Sequence, residues 1–361
     1  MMTVCMNTLF SSITSSFTQE LQDAQSGKKT SLPFIRHEYL ANKATADGEV
    51  FQVLVIGGSV YKSALIKKRG NTFVTLEKFE GRQPIFKTKE DFLTFAASKI
   101  DPGVTLVGIN FAFPLTPFFR DGYLDGKLGF GTKEHAFEGL IGETVGEAIE
   151  EAVFKTFNKK VRVGIANDTI CLLLSGLTRY FWNQVAAGIV GTGLNFALFL
   201  DDHTPVNLEA ANFNKFTQSK EAAIVDKRSM TPGNAWAEKE VSGAYLHQLF
   251  NEGIRLRGLQ VAPIASTDQI DEIAKNESGE AKTYALELLE RSAGIVAAEI
   301  AGITGFLKRD TAFVMEGSLF WKGYGFKDKV EQFVREILPE YSVSYIYIPD
   351  SGIMGAAKLV A

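Results

Sequence analysis

Cysteine is scarce in this sequence of 361 residues, since only Cys5 and Cys171 are present. Two cysteines are too few for a disulfide framework, and Cys171 lies in the apolar run ICLLL, which predicts a buried free thiol. The first residues have no basic segment, and no apolar stretch approaches the roughly 20 residues needed to span a bilayer. The sequence therefore predicts a cytoplasmic protein that does not insert into a membrane.

A strong charge of one sign is also absent. The formal net charge is -4, and no long run of lysine and arginine is interleaved with aromatic residues, so nucleic acid is not an expected partner. Four histidines lack the spacing of metal ligands, so we expect packing or surface roles for them and no metal site built from protein side chains: His37, His135, His203 and His247.

The composition is ordinary for a globular protein, with 45% hydrophobic and 22% charged residues. A chain of this length exceeds the size at which one hydrophobic core usually stops growing, which favours two domains. Two β-rich passages agree with that expectation. The first reads FQVLVIGG, SVYKSALIKKRG and NTFVTLEKFE, and the second reads AAGIVGTG, LNFALFLDD and HTPVNLEA. A duplicated β-meander followed by helical stretches predicts two related lobes.

Further elements follow from periodicity and from breaker residues. We expect a short helix over 12–25, a strand in VTLVGINFAF, a loop over PLTPFFRDGYLDGKLGFGTK and a helix near 138–157. The segment VRVGIANDT is predicted to be a strand that leads into a helix, where Asp168 would suit the N-cap. After Ala235 the pattern is helical as far as the strand TAFVMEG.

Two glycine-rich turns are the first chemical candidates, because glycine lets backbone N–H groups approach a phosphate closely. They are Gly57-Gly58-Ser59 and Gly191-Thr192-Gly193. Neither is a Walker loop and neither completes G-x-G-x-x-G before a helix, since both join strand to strand. A plain hairpin turn is the alternative interpretation for each. Their matching places in the two repeats favour a pair of turns that clamps a polyphosphate.

Six segments in order resemble hexokinase motifs. INFAFP resembles F-S-F-P, GTK resembles W-T-K-G, IANDT resembles N-D-T, and GIVGTGLN resembles the phosphate turn G-T-G-T-N. VNLEAANF resembles N-I-E-W-G-x-F, and PGNAWAEKEVSGAYL resembles P-G-x-x-x-x-E-K-M-I-S-G-x-Y-L. LPFIRHEY, VLVIGGS, MEGSLF and DSGIMGAA extend the resemblance towards both ends.

The resemblance implies an α/β fold with two actin-like (ribonuclease H-like) lobes and a central cleft. Residues 1–49 would form an N-terminal helix and a connector that belong to the large lobe. Residues 50–165, with 350–361, would form the small lobe, and residues 166–349 the rest of the large lobe. Binding partners would be a hexose and a nucleotide, with ATP and Mg²⁺ as cofactors. The hexose, the oligomeric state and the choice of ATP over ADP or polyphosphate as phosphoryl donor stay open.

The resemblance also assigns site residues one by one. The sugar contacts fall on seven positions: Thr132, Lys133, Asn167, Asp168, Asn195, Glu209 and Glu238. Asp168 would be the general base towards the primary hydroxyl of the sugar, and Lys133 would offset charge nearby. Nucleotide contacts fall on the two turns and on a third segment: Gly57, Gly58, Ser59, Gly191, Thr192, Gly193, Gly317 and Ser318.

Departures from the hexokinase pattern concentrate on the nucleotide side. Val55 stands where the first phosphate turn has an aspartate that holds magnesium through water, Leu194 replaces a hydroxyl residue, and Glu316 replaces an aspartate. On the sugar side Ala112 replaces the serine of F-S-F-P, and the aromatic flanks are lost at Gly131 and at Ala210-Ala211. A missing metal partner could cost several kcal/mol in the transition state of phosphoryl transfer.

Three functions are therefore considered. The first is an ATP-dependent hexokinase or glucokinase of carbohydrate metabolism that makes hexose 6-phosphate. The second is a sugar-binding pseudokinase, a sensor or regulator, for which Val55 is the main argument. The third, an actin-like ATPase that acts as a filament or chaperone, gives no reason for Asn167, Asp168, Glu209 and Glu238 to stand together in hexokinase contexts.

Overall fold

The computed structural model of the protein describes residues 2–40, 45–132 and 134–361, with side chains described from Thr8 onward. The chain forms two compact units. Unit 1 comprises Met1–Phe34, Gly188–Phe196 and Leu208–Tyr347, and unit 2 comprises Ile35–Ala187, Ala197–Asn207 and Ile348–Ala361. The lobe boundaries expected from the sequence stay a prediction.

The helices of the described residues are α1 (Met2–Gln25), α2 (Lys89–Lys99), α3 (Val145–Phe157), α4 (Asp168–Gly176), α5 (Lys220–Arg228), α6 (Glu238–Val241), α7 (Leu246–Arg257), α8 (Asp268–Asn276), α9 (Gly279–Leu307), α10 (Ser318–Lys322), α11 (Phe326–Ile337) and α12 (Ser351–Val360). Short 3₁₀ turns lie at Trp182–Gln184 and Ala210–Asn212. The leading helix is longer than expected, because it begins at Met2, and α3 begins later than the predicted residue 138.

The strands are β1 (Ile35–Arg36), β2 (Val50–Ile56), β3 (Val60–Arg69), β4 (Thr72–Arg82), β5 (Leu106–Phe111), β6 (Leu115–Arg120), β7 (Tyr123–Leu128), β8 (Arg162–Ala166), β9 (Val185–Val190), β10 (Leu194–Phe199), β11 (Pro205–Asn207), β12 (Thr311–Glu316) and β13 (Val343–Ile346). Both β-rich passages of the sequence are therefore strands, β2 to β4 and β9 to β11.

A five-stranded sheet in the order β4-β3-β2-β5-β8 forms the centre of unit 2. Strands β2, β3 and β4 are antiparallel, which confirms the predicted meander, while β2, β5 and β8 run parallel. The register places Val55 beside Asn110, and Asn110 beside Ala166. Because parallel strands end at one edge of the sheet, the residues that follow β2 and β8 leave that edge together.

The segment predicted as a loop after β5 contains a hairpin instead. Strands β6 and β7 pair antiparallel around Asp121 and Gly122, whose φ angles are 50° and 90°. Positive φ at both central residues is the two-residue turn that Asp-Gly favours, because its twist matches that of the strands. The Asp-Gly pair was the signal in the sequence for this hairpin.

Helix α12 packs closely against the sheet and α4 of unit 2. A Cβ on Gly355 would stand 1.7 Å from the carbonyl oxygen of Cys171, and a Cβ on Gly108 would stand 2.2 Å from that of Ala356. The backbones therefore approach to distances that only glycine permits. Thr45 adds a hydrogen bond of 2.6 Å from its hydroxyl to the carbonyl of Val360. This packing fixes α4, the helix that carries Asp168.

Helix α9 runs through the core of unit 1. Helix α1 lies against it, since Cβ atoms on Gly294 and Gly302 would stand 2.0 Å from the ring of Phe10 and 2.9 Å from that of Phe17. One carboxylate is enclosed in this core. Glu299 is fully buried, and neither of its oxygens has a hydrogen-bond partner among the described residues. Burial raises the pKa of this carboxyl well above 4.5.

Strands β9 to β13 complete the description. In unit 2, β11 pairs antiparallel with β1 and with residues 197–199 of β10. In unit 1, β12 pairs parallel with β13 from Thr311 to Val314. Residues 188–190 of β9 and 194–196 of β10 belong to unit 1 and flank the second glycine turn.

Candidate functional site

Asn167 and Asp168 stand where β8 of unit 2 passes into α4. Asn167 is the N-cap, and its Oδ1 accepts from the N–H of Ile170 at 2.9 Å. The cap expected at Asp168 is thus one residue earlier, which frees Asp168 from that task. Oδ1 of Asp168 accepts from the N–H of Thr169 at 2.8 Å. Among the described residues, Oδ2 of Asp168 has no hydrogen-bond donor, and the side chain is only half-buried.

The first glycine turn, Gly57-Gly58-Ser59, joins β2 to β3 in unit 2. Two side chains hold its carbonyls. Gln83 donates from Nε2 to the oxygen of Gly57 at 2.5 Å, and Nε2 of His135 lies 2.8 Å from the oxygen of Gly58. The N–H of Gln83 donates to Ser59 at 2.9 Å. Although both carbonyls are engaged, Gly57 and Gly58 stay half-exposed.

An unpartnered amide lies next to Val55, at the entrance to this turn. Asn110 is only 4% exposed, and its Oδ1 has no hydrogen-bond partner in the described part of the chain. A Cβ on Gly352 would stand 2.9 Å from its Nδ2 and 3.6 Å from Val55, so the three residues are close neighbours. A buried amide oxygen without a partner is a group that takes up a water or a hydrated cation. The amide oxygen of Asn110 fits hydrated Mg²⁺, whereas Val55 offers no ligand.

Thr132 lies in the segment between β7 and α3, and its carbonyl accepts from the N–H of His135 at 3.0 Å. Gly131 is required by the local packing, because a Cβ there would stand 2.2 Å from the carbonyl oxygen of His135. No aromatic residue fits this position while the segment keeps this conformation. Lys133, predicted as a sugar contact and charge partner, lies outside the described residues.

Asn195 and Glu209 belong to unit 1. Oδ1 of Asn195 accepts from the N–H groups of Phe196 at 2.8 Å and Ala210 at 3.2 Å, so one amide ties β10 to the residue after Glu209. Glu209 has the left-handed backbone conformation, with φ 51° and ψ 48°. A side chain in that region costs about 1–2 kcal/mol, so the surrounding structure must impose it.

Glu238 opens the short helix α6 of unit 1 and is tied to the second glycine turn. Its Oε2 accepts from the N–H of Leu194 at 3.1 Å and would lie 3.0 Å from a Cβ on Gly193. A side chain at Gly193 would therefore press on the carboxylate. Tyr245 follows Glu238 by seven residues in the chain. Burial raises the pKa of its phenol, and repulsion from Glu238 and Asp226 raises it further. The phenol is therefore a neutral hydrogen-bond donor at physiological pH.

Buried charges flank Glu238 and anchor α6. Lys239 is fully buried, and its Nζ donates to Asp226 at 2.5 Å, to the hydroxyl of Ser229 at 3.0 Å and to the carbonyl of Thr231 at 2.7 Å. All three ammonium protons are satisfied, which offsets the cost of burying the charge. Glu240 makes an ion pair with Arg291 on the other side, at 3.1 Å. The two pairs set the direction of Glu238.

The carbonyls of the second glycine turn accept hydrogen bonds from the main chain. Gly191 accepts from the N–H of Gly243 at 2.7 Å, and Thr192 accepts from that of Ala244 at 3.2 Å. Gly317, with φ 113°, packs against it, since a Cβ on Gly317 would stand 2.1 Å from the carbonyl oxygen of Val190. Gly317 and Ser318 thus adjoin the second turn within unit 1, as a shared nucleotide site requires.

A cavity of about 300 Å³ opens beside the second turn in unit 1. Its wall includes Thr192, Ser318, Lys322 and the start of α8 at Thr267 and Asp268. The volume lies in the range of small-molecule sites. Polar and charged groups around a glycine turn suit a nucleotide.

Four residues of these sites were not singled out from the sequence: Gln83, Asn110, His135 and Lys239. Lys239 stands inside the motif that contains Glu238, so its position was the available signal. The other three act through distant partners, and local sequence gives no signal for them. Within the described ranges, no group of three or more His, Cys, Asp or Glu could hold a metal ion. No helix in that part of the chain is long and apolar enough to cross a membrane.

Comparison with known proteins gives a consistent result. A family model described as hexokinase matches residues 259–361, a region that includes Gly317 and Ser318 but none of the predicted sugar contacts. Hexokinase-1 of Oryza sativa is 26% identical over 332 residues, which cover 73% of this chain and 65% of the rice protein. The hexokinase of Kluyveromyces lactis is 23% identical over 96% of this chain and 87% of its own length.

Solved structures agree with these relatives. The hexokinase of Schistosoma mansoni, solved as a complex with glucose, covers 98% of this chain and 95% of its own, with a TM-score of 0.76 and 19% identity. A ROK family glucokinase of Streptomyces griseus covers 86% of this chain with a TM-score of 0.55 and 19% identity. The α/β fold with two actin-like lobes is thereby confirmed, and so is the resemblance to hexokinases.

Proposed function

We propose that this hexokinase homologue is a sugar kinase that transfers the γ-phosphoryl group of ATP to the 6-hydroxyl of a hexose such as glucose, with Asp168 as the general base. The observation that supports the proposal most strongly is the hydrogen bonding of the Asp168 carboxylate. One oxygen is held by the N–H of Thr169 while the other has no donor among the described residues, and Asn167 supplies the helix cap. A carboxylate oriented in this way is suited to accept a proton.

The reaction then proceeds as a single displacement. Oδ2 of Asp168 takes the proton of the 6-hydroxyl as that oxygen forms a bond to the γ-phosphorus. The bond between the γ-phosphorus and the bridging oxygen breaks, and ADP leaves with the electron pair. Bound Mg²⁺ would neutralise charge on the phosphates. The residues proposed to orient the hexose are the seven named from the resemblance, Thr132, Lys133, Asn167, Asp168, Asn195, Glu209 and Glu238.

The nucleotide is proposed to lie against both glycine turns, with Gly317 and Ser318 on its nucleoside side. Support comes from the cavity beside Thr192 and Ser318 and from the backbone that the turns leave accessible. In the first turn, the amide of Asn110 is the group proposed to meet hydrated Mg²⁺ in place of the carboxylate that Val55 lacks.

A sugar-binding pseudokinase is the second candidate, and Val55 favours it. Valine cannot orient a metal-bound water, and the neighbouring Asn110 supplies one neutral amide where a carboxylate would supply charge. In this alternative the sugar contacts of both units serve sensing or regulation, and the turn at Gly57 no longer supports transfer.

The test is a coupled assay with glucose, ATP and Mg²⁺ on the wild type and on Asp168→Asn, which keeps shape but removes the base. We expect kcat to fall by about 10²–10⁴-fold while calorimetry gives glucose binding within roughly 3-fold of the wild type. Asp202→Asn, in an exposed turn, is the matched control and should change neither. A wild type that binds glucose but transfers phosphate to no common hexose would establish the pseudokinase.

A further inference from the structure

His135 occupies a junction of three segments within unit 2. It follows Thr132, a proposed sugar contact, and its backbone N–H donates to the carbonyl of Thr132 at 3.0 Å. Its ring reaches the first glycine turn, where Nε2 lies 2.8 Å from the oxygen of Gly58. The ring also reaches the segment after β4, where Nδ1 lies 2.9 Å from the nitrogen of Phe86.

The partners fix which ring nitrogen carries the proton. The N–H of Phe86 can only donate, so Nδ1 accepts and is unprotonated. The carbonyl of Gly58 can only accept, so Nε2 carries the proton and donates. His135 is therefore a neutral ring that uses both nitrogens, and it is only 2% exposed.

Packing leaves the ring little freedom to adjust. Phe86, Phe113 and Phe137 surround it with ring centroids 5.1, 5.2 and 5.6 Å away. The backbone of Ala136 donates to the carbonyl of Phe86 at 3.0 Å, which joins the same two segments a second time. A displacement of the segment at Thr132 must therefore move the ring, and the ring is bonded to the first turn.

We propose that His135 is a positioning residue that couples the sugar-contacting segment at Thr132 to the phosphate-binding conformation of Gly58. The proposal rests on the function argued above, since it takes the ligand at Thr132 to be a hexose and the ligand at the turn to be the phosphates of a nucleotide. Hexose bound at Thr132 fixes the segment, His135 holds the carbonyl of Gly58, and the N–H groups of the turn stay aimed at the phosphates. Sugar binding thereby tightens nucleotide binding.

Two substitutions at His135 test the hydrogen bonds of the two ring nitrogens separately. His135→Gln places an amide N–H at the distance of Nε2 from the backbone, so it keeps the bond to Gly58. His135→Asn places an amide oxygen at the distance of Nδ1, so it keeps the bond from Phe86 and loses the one to Gly58. Both remove the same ring from the same aromatic cluster, which makes each the stability control of the other.

The measurement is calorimetric titration with the ATP analogue AMPPNP and Mg²⁺, with and without saturating glucose. We expect glucose to lower the Kd of AMPPNP at least 5-fold in the wild type and in His135→Gln, and less than 2-fold in His135→Asn. Glucose alone should bind all three within about 2-fold. Equal coupling in both variants, or loss of coupling that follows the loss in Tm, would overturn the proposal.

Hydrogen exchange of the wild type covers the case in which neither variant folds. Glucose alone should slow exchange of the Phe86 amide and of the peptide containing Gly58, and unchanged exchange at both would count against the coupling. The coupling and the kinase function fail separately. If the wild type phosphorylates glucose but glucose does not change its AMPPNP affinity, only the coupling proposal is wrong. If glucose lowers the Kd of AMPPNP but no phosphate is transferred, only the proposed kinase function is wrong.

Discussion

The two glycine turns differ in what holds them. In the first turn, the carbonyls of Gly57 and Gly58 accept from the side chains of Gln83 and His135. In the second turn, Gly191 and Thr192 accept from the main chain after α6, and Gly317 packs on the backbone before it. Replacing Gln83 or His135 by a side chain that cannot donate therefore removes a hydrogen bond from the first turn, whereas the second turn is most sensitive to side chains added at its closely packed glycine backbone, including Gly317. The first turn is also the one that Val55 precedes, where the hexokinase pattern has the magnesium-side aspartate.

A matched pair of glycine substitutions tests this difference most severely. Gly317→Ala places a methyl group 2.1 Å from the carbonyl of Val190 at φ 113°, where side chains are strained. We expect AMPPNP affinity to fall about 100-fold and stability to fall by roughly 2–4 kcal/mol. Gly57→Ala meets only the carbonyl of Val60, at 3.3 Å, so its stability should change by no more than about 1 kcal/mol. Equal losses of stability in the two variants, measured by denaturant unfolding, would contradict the distinction.

The second test restores the missing carboxylate of the first turn. Val55→Asp places a carboxylate beside the amide of Asn110, whose Nδ2 can donate to it. We expect phosphorylation of glucose to rise about 10-fold at saturating Mg²⁺ and nucleotide, because a charged oxygen again orients the hydrated metal. The neighbouring amide should keep the loss of stability to about 1–2 kcal/mol, less than for an unpaired buried carboxylate. Val55→Asn is the control for size and polarity, and an equal gain in rate with it would rule out the role of charge.

Glu299 supplies the smallest expected effect on nucleotide binding, because its carboxyl is enclosed in the core of unit 1 and makes no hydrogen bond to a described residue of either turn. Its pKa is raised by burial, so the stability that the protonated carboxyl retains is fully present below about pH 4.5, the unfolded value, and is lost as pH rises towards the raised pKa. Glu299→Gln should remove this pH dependence and raise Tm at pH 7 to 8 relative to the wild type. AMPPNP affinity should change less than 2-fold.

The outcome to look for is a fall of Tm between about pH 4.5 and pH 8 that is smaller in Glu299→Gln than in the wild type. A parallel pH dependence of Tm in wild type and variant would show that Glu299 is not the titrating group. A change in AMPPNP affinity would show that stability and the turns cannot be separated in unit 1.

Sequence reasoning succeeded where chemistry is local. Short runs of β-branched residues and glycine predict the two meanders, the strand before Asn167 and the glycine turns. Strands β2 to β4 and β8 follow from these runs. The hairpin of β6 and β7 differs from the predicted loop, because the Asp-Gly signal lies inside a stretch rich in other turn residues. Sequence reasoning also missed His135, Gln83 and Asn110, because each acts through a partner far away in sequence that only the folded chain brings near.

Lys239 also shows that local sequence does not predict the partners of a buried side chain. Its neighbour Glu238 was identified from a motif, but the three acceptors that surround the ammonium group come from the segment 226–231, whose sequence gives no sign of them. Binding motifs name the residues that touch a ligand. Such motifs do not identify the residues that orient those ligand-contacting side chains.

Helix α12 has a consequence for the order in which the protein is made. It packs on β2, β5, β8 and α4 of unit 2, yet residues 208–347 of unit 1 are translated between those elements and α12. While the ribosome synthesises that stretch, the face of the unit 2 sheet that contains Gly108 has no helix to cover it. The packing of unit 2 can therefore be completed only after residues 208–347 have been translated.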